Sequence, residues 1–384
     1  MGDPFRALCA GSEQWLSFAH VPRLLKRAGA HVTFLGPVGA WPLRGGFVDT
    51  WLRADGDATR VAAALGRHLK QAGPYDWIVL GDDPLLAAVG ARRDEAWARA
   101  ALPLPADDVR VGLLGSKAGF VRAAQSLGLP LPPSRVCEGL EAIRAARDAL
   151  GGSALIKEEG PSGGEGCHPI DSRTDLARLP SRLLSHPVVV QRLLPGPTIA
   201  VEAIYCQGRL RHAVTSTISR TKDSPFSVSA IRRFVCVPDA VDLASRLGPS
   251  IGLHGFANIT LLRDPTDGRP LLVELDPRPN SLFHLAEALG VDLPATLRDV
   301  LAGRCEGPLR QLSPGTDVEV PVYPTDVIRC AQQWAWAGLA AWALNLDDRW
   351  CWLPRDDPRL LRACHRYLVR QLARGVLRAT RRPG

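Results

Sequence analysis

Glu274 and Asp276 stand two residues apart in Leu272-Val273-Glu274-Leu275-Asp276, and Pro277-Arg278-Pro279-Asn280 follows at once. On a strand, that spacing turns both carboxylates to the same side. In a dry site they would repel each other unless a cation joined them. Hard oxygen ligands of this kind suit Mg2+, which commonly also takes nucleotide phosphate oxygens; Mn2+ accepts the same donors. Arg278 has the fork geometry to hold a phosphoryl oxygen or a carboxylate. The plainer alternative is a solvated polar strand edge.

A second group lies upstream. Lys157 closes the apolar run Ala154-Leu155-Ile156, and Ser162-Gly163-Gly164-Glu165-Gly166 follows. Glycine amides can approach phosphate oxygens because no side chain intervenes, and a lysine adds a mobile positive charge. Alone, the same residues also describe a tight hairpin with an exposed lysine.

The elements that must position these groups are readable from periodicity. Val32 to Leu35 and Trp77 to Leu80 are strand-length apolar runs with a helical pattern, Val61 to Gln71, between them. That alternation predicts a small α/β domain with a parallel sheet. Pro103 and Pro105 mark a boundary, and helices are expected over 117–127 and 140–150. Val188 to Gln191, Ile199 to Tyr205 and Ala257 to Leu262 read as strands. The last of these should form a hairpin with 269–274 around Asp267-Gly268.

Composition bounds the class. The 384 residues carry 46% apolar side chains and no apolar run long enough to span a membrane, which predicts a globular protein of two or three domains. The first residues do not read as a secretory signal, so a cytoplasmic location is expected. Nine scattered cysteines without a Cys-x-x-Cys pair are read as reduced. Of the +8 net charge, +7 falls in 355–384, where nine arginines face two aspartates. A near-neutral body argues against a nucleic-acid partner. Arg362, Arg366, Arg370, Arg374, Arg378 and Arg382 recur every four residues, and Leu361, Leu368, Leu372 and Val376 could supply an apolar face. With Trp334, Trp336 and Trp342 nearby, the stripe could touch an anionic membrane surface; packed helices with arginines in solvent are the favoured alternative.

From about Asp108 to Pro294 the order of motifs resembles the ATP-grasp superfamily. An early lysine precedes a helix (Gly115-Ser116-Lys117), a second precedes a glycine loop (Lys157, Gly163, Gly164, Gly166), and a hinge follows (Gln191-Arg192-Leu193-Leu194-Pro195-Gly196). The series closes on Glu274-Leu275-Asp276-Pro277-Arg278. The resemblance implies an α/β (α+β) fold with a Rossmann-like domain at 1–105 and a two-lobed ATP-grasp domain at 106–325. Its lid would lie at about 150–190, and a helical basic segment at 326–384 would follow.

By that resemblance, ATP would lie with adenine against Gln191, Arg192, Leu193 and Leu194. Lys117, Lys157 and the glycine loop would hold its phosphates, and Glu274 and Asp276 would hold Mg2+. Arg278 and Asn280 would steady the transferring phosphoryl group. The implied reaction is carboxylate–amine ligation through an acyl-phosphate, with small-molecule acid and amine substrates and a homodimeric assembly. The sequence departs from the pattern at Asp276 (usually Asn), Gln191 (often Glu), Thr198 (a ribose-contacting Glu in some members) and Thr260 (often a metal-binding acid or Gln). Those departures leave a second reading open, an ATP-binding scaffold or regulator without catalysis. Arg220, Lys222, Arg232 and Arg233 are candidates for a substrate carboxylate or for a solvated loop. His254 and His284 are given no role.

Overall fold

The computed structural model describes residues 4–160 and 163–379. The chain opens with four parallel strands, β1 (Phe5–Ala10), β2 (Ala30–Gly36), β3 (Thr50–Arg53) and β4 (Trp77–Leu80), ordered β3-β2-β1-β4. The expected helix runs Ala58–Gln71, started by Asp57, whose carboxylate accepts from the Arg60 amide at 2.9 Å. Asp82 does the same for the helix Asp83–Gly90 after β4, at 3.0 Å from the Leu85 amide. That cap places Asp83 in the first helical turn, at the mouth of the sheet.

A second, antiparallel sheet follows: β5 (Ser134–Cys137), β6 (Ala154–Glu158), β7 (Cys167–Ile170) and β8 (Val188–Arg192), ordered β5-β8-β6-β7. Strand alternation sorts its side chains. Ala154, Ile156, Val188 and Val190 bury against Ile143 and Ala146 of the helix Leu140–Ala149 and against Leu183. Leu155, Lys157, Val189 and Gln191 occupy the other face, and Val189 joins a core shared with Ile199, Ala257 and Ile259 of the third sheet.

The third sheet comprises β9 (Ile199–Cys206), β10 (Arg209–Thr221), β11 (Ser229–Val235), β12 (Gly255–Arg263), β13 (Pro270–Asp276), β14 (Arg310–Gln311) and β15 (Asp317–Pro321). Its order is β13-β12-β9-β10-β11-β15, with β14 beside β10. The expected hairpin is β12–β13, in a register that opposes Asn258 to Asp276 and Thr260 to Glu274. One face of the sheet packs on the amphipathic helix Pro238–Ile251.

Beyond the sheet, helices Thr325–Gln332, Trp336–Ala343 and Pro358–Ala379 return to the body. Leu360 and Cys364 bury against Ala19 and Trp41, so the last helix docks on the first domain through these residues rather than through Leu361. Arg362, Arg366, Arg370 and Arg374 are exposed. Arg382 lies outside the described residues. Trp334 and Trp336 are 70% and 65% exposed, whereas Trp342 is buried with its indole N–H on Asp326 at 2.8 Å. No described helix is long and apolar enough to cross a membrane.

The cysteine reading needs one correction. Cys206 and Cys305, 99 residues apart, form a disulfide, because the end of β9 meets the loop after the helix Leu293–Leu301. Spacing alone carries no trace of that approach.

Candidate active site

The second and third sheets face each other through Val189, Ile199 and Ile259, and Lys117, Lys157, Glu274 and Asp276 lie within electrostatic reach of one another there. Lys157 projects from β6 toward the third sheet. Loss of solvation lowers its ammonium below the ordinary lysine value and nearby Lys117 adds to this, while Glu274 and Cys167 act in the opposite direction. Two lysines, one on β6 and one at the start of the helix Lys117–Ser126, thus share a site with the first predicted metal ligand. Lys117 begins the helix Lys117–Ser126, whose start is capped by Ser116. Just past β6, Glu159 accepts the amides of Lys117 at 3.2 Å and Ala118 at 2.5 Å. A helix N-terminus favours an anion there, and in this arrangement the lid's own carboxylate supplies one.

The glycine loop that follows β6 rests on the third sheet, with Ser162 outside the described residues. A Cβ on Gly164 would lie 1.9 Å from the Phe226 carbonyl oxygen, and its φ is +81°, so only glycine permits the loop to rest on the β10–β11 turn. Gly163 also has positive φ, and the Gly166 carbonyl accepts from the Glu158 amide at 2.9 Å.

On β13, Glu274 is open to the cleft and Asp276 is recessed. Burial raises the Asp276 carboxyl to about 7; Glu274 and Asp83 reinforce the rise, and Arg278 works against it. A divalent cation between the two carboxylates would offset that repulsion, so the donor set fits one. Among the described residues no group of three or more His, Cys, Asp or Glu side chains is placed to hold a metal. The pair would therefore leave the remaining positions to phosphate oxygens and water.

Arg278 is 6% exposed and clamped to the first domain. Its Nε and Nη2 donate to the two Asp83 oxygens at 2.6 and 2.7 Å, Asp276 lies at 3.5 Å, and its guanidinium lies 5.3 Å from the Trp15 ring centre. Asn280 donates to Glu202 and to Asn258, both at 3.1 Å, and Asn258 donates to Asp276 at 3.2 Å. Glu202 in turn accepts from Arg232 at 2.8 Å, and Arg232 reaches Ser216 at 3.2 Å. A continuous polar network therefore crosses five strands, β13, β12, β9, β10 and β11. Glu202 is 1% exposed, and its Oε2 has no hydrogen-bond partner.

The hinge residues sit where β8 passes into β9. Gln191 is buried, with its amide donating to Ser134 Oγ at 2.9 Å. Arg192 and Leu193 are exposed and Leu194 is buried. Thr198, Ser219, Arg220 and Thr221 line a cavity of about 440 Å3 together with Arg329 and Gln333. Arg233 points away and pairs with Asp317. His284 stacks on His20 with ring centres 3.8 Å apart, and His254 packs edge-on against Trp77.

Sequence reasoning missed Asp83, Trp15, Asn258 and Glu202 as parts of this site. Glu202 did carry a signal: it is the single charge in Ile199-Ala200-Val201-Glu202-Ala203-Ile204-Tyr205-Cys206, every residue of which is buried. A charge in such a strand must be partnered.

Comparison with known proteins gives the class. Residues 185–321 match a family described as ATP-grasp in the biosynthetic pathway with Ter operon. Among solved structures, N5-carboxyaminoimidazole synthetase from Staphylococcus aureus complexed with ADP is 16% identical, covering 81% of each chain, with a TM-score of 0.63. An ADP complex of N5-carboxyaminoimidazole ribonucleotide synthetase is 15% identical over 82% of this chain and 80% of that one, TM-score 0.62. The L-amino acid ligase from Bacillus licheniformis is 18% identical over 79% and 78%, TM-score 0.56. No curated protein sequence matches. The chain has the ATP-grasp fold, and residues 185–321 are similar in sequence to an ATP-grasp family.

Proposed function

We propose that the protein is an ATP-dependent carboxylate–amine ligase. The observation that carries this reading is the meeting of Lys117 and Lys157 with Glu274 and Asp276 across one cleft, under a glycine loop. Solved neighbours described as ligases and synthetases, two of them as ADP complexes, support it.

Lys117 and Lys157 would bind and orient the phosphates of ATP. Glu274 and Asp276 would hold Mg2+, which when bound neutralises phosphate charge at the γ-phosphoryl. A carboxylate oxygen of the acid attacks the γ-phosphorus and ADP leaves. The amine then attacks the acyl carbon, phosphate departs, and the nitrogen loses a proton as the amide forms. Arg278, held by Asp83, would present its remaining donor surface to the transferring group. Asn280 would fix the neighbouring backbone through its bond to the Leu282 amide at 2.8 Å. The glycine loop would keep water from the acyl-phosphate. In this reading Asp83 comes from the first domain, and Arg329 and Gln333 add a wall to the 440 Å3 cavity.

One observation favours a second reading. Asp83 takes up two of the Arg278 donors, Nε and Nη2, and Thr198 and Thr260 occupy positions often held by Glu or another acid, so the chain could bind nucleotide without turning it over. ADP release from Mg-ATP against a panel of amino acids, dipeptides and small carboxylic acids separates the two, with Glu274→Ala as the blank. Substrate-dependent ADP that vanishes in the blank supports the ligase. Mg-ATP binding with no release from any pair supports the scaffold.

A further inference from the structure

A second cavity, of about 550 Å3, opens at the β9–β10 turn, at the opposite end of these strands from Thr198 and Ile218. Arg209, Arg211, Ser245, Cys305 and Gly307 line it. The charge around it is unbalanced. Asp299 accepts from Arg304 at 2.9 Å, from Arg310 at 2.9 Å and from Arg211 at 3.4 Å, so three guanidiniums share one carboxylate. Glu306 neutralises only Arg209, at 2.8 Å. Arg209 and Arg211 line the cavity and Arg304 and Arg310 stand behind it, so within this cluster four arginines share two carboxylates and two positive charges are left over.

Arg211 makes the excess costly because it is 2% exposed. Its Nη1 donates to the Cys305 carbonyl at 2.9 Å, and its Nε has no partner. Neighbouring His212 adds no charge, since burial lowers its imidazole to about 3. The surroundings are built to hold the guanidinium: a Cβ on Gly307 would lie 2.8 Å from Arg211 Nη2. The disulfide anchors the loop that carries the accepting carbonyl. Buried guanidinium charge without an equal counter-charge is unfavourable, and a planar or tetrahedral oxyanion matches the arginine fork. Leu210, Pro249 and Leu309 would receive the carbon part of such a ligand.

We propose that this cavity binds a small dianion, a phosphate ester or a dicarboxylate, at a site separate from the nucleotide cleft. The test is calorimetry on the full chain carrying Lys157→Ala, which weakens phosphate contacts in the cleft. Inorganic phosphate and malonate are titrated at constant ionic strength set with potassium chloride. The comparison protein adds Arg209→Glu and Arg304→Glu, two side chains 63% and 57% exposed, so folding should be retained and is checked by thermal melting. One site per chain is expected, weakened at least tenfold in the comparison protein. Binding of phosphate alone identifies an ester site, and binding of malonate alone a dicarboxylate site. Absence of binding by both anions, or equal binding by the two proteins, overturns the proposal. Since the ligase reading concerns the other cleft, its failure would leave these titrations unchanged.

Discussion

Asp83→Ala should loosen the junction between the first domain and the third sheet, and its cost can be worked from the Arg278 environment. Removing one partner of a buried ion pair costs about 3–5 kcal/mol, because the other charge stays desolvated. Two features reduce that here. Asp83 is 28% exposed, so part of the pair is already screened, and Arg278 keeps Asp276 at 3.5 Å. About 2–3 kcal/mol remains. At roughly 2–4 °C per kcal/mol for units of 150–250 residues, Tm should fall by about 5–10 °C. The double variant Asp83→Ala/Arg278→Met should recover part of the loss, since it removes the stranded guanidinium. Thermal unfolding followed by tryptophan fluorescence measures all three proteins, and Trp15, near the Arg278 guanidinium, provides a local reporter. A wild-type Tm for Asp83→Ala, or a double variant less stable than the single, would refute the clamp.

Three further outcomes follow from individual contacts. Reduction of Cys206–Cys305, or Cys305→Ser, releases a 99-residue separation and should cost about 2–4 kcal/mol; a Tm unaffected by dithiothreitol contradicts this. His212 is neutral in the fold, with its imidazole lowered to about 3, whereas the unfolded chain takes up its proton near pH 6.5. The unfolded state therefore binds more protons below pH 6.5, so stability should fall as pH drops from there through 3, by roughly 5 kcal/mol in the limit. His212→Phe should flatten that acid limb, and urea unfolding at pH 7, 5 and 4 reads the difference. Gly164→Ala should push the glycine loop off Phe226 and weaken Mg-ATP binding roughly tenfold, about 1.4 kcal/mol; equal affinity by calorimetry would detach the loop from the nucleotide.

Local chemistry made much of the scaffold legible. Strand-length apolar runs at Trp77 to Leu80 and Val188 to Gln191 became β4 and β8. The two-residue spacing of Glu274 and Asp276 did place both on one face of β13, because a paired strand enforces that alternation. What escaped was pairing across long separations. Arg278 meets Asp83 over 195 residues, Glu202 meets Arg232 across the intervening strand β10, and Cys206 meets Cys305 through a loop. None of these leaves a periodic trace, because each depends on how whole elements pack. The C-terminal helix shows the same limit: a stripe of arginines was plain, yet the buried positions are Leu360 and Cys364, chosen by contact with Trp41. Exposure of Trp334 and Trp336 beside a buried Trp342 was equally invisible to composition.

The central claim is that Lys157 and Glu274 serve one nucleotide cleft. Calorimetry of Mg-ATP with the wild-type chain, Lys157→Ala and Glu274→Ala tests it most directly. One site is expected in the wild type, weakened by at least about tenfold in each variant, with the Glu274→Ala deficit dependent on Mg2+. Wild-type affinity retained in both variants, or no Mg-ATP binding by the wild type, would contradict it.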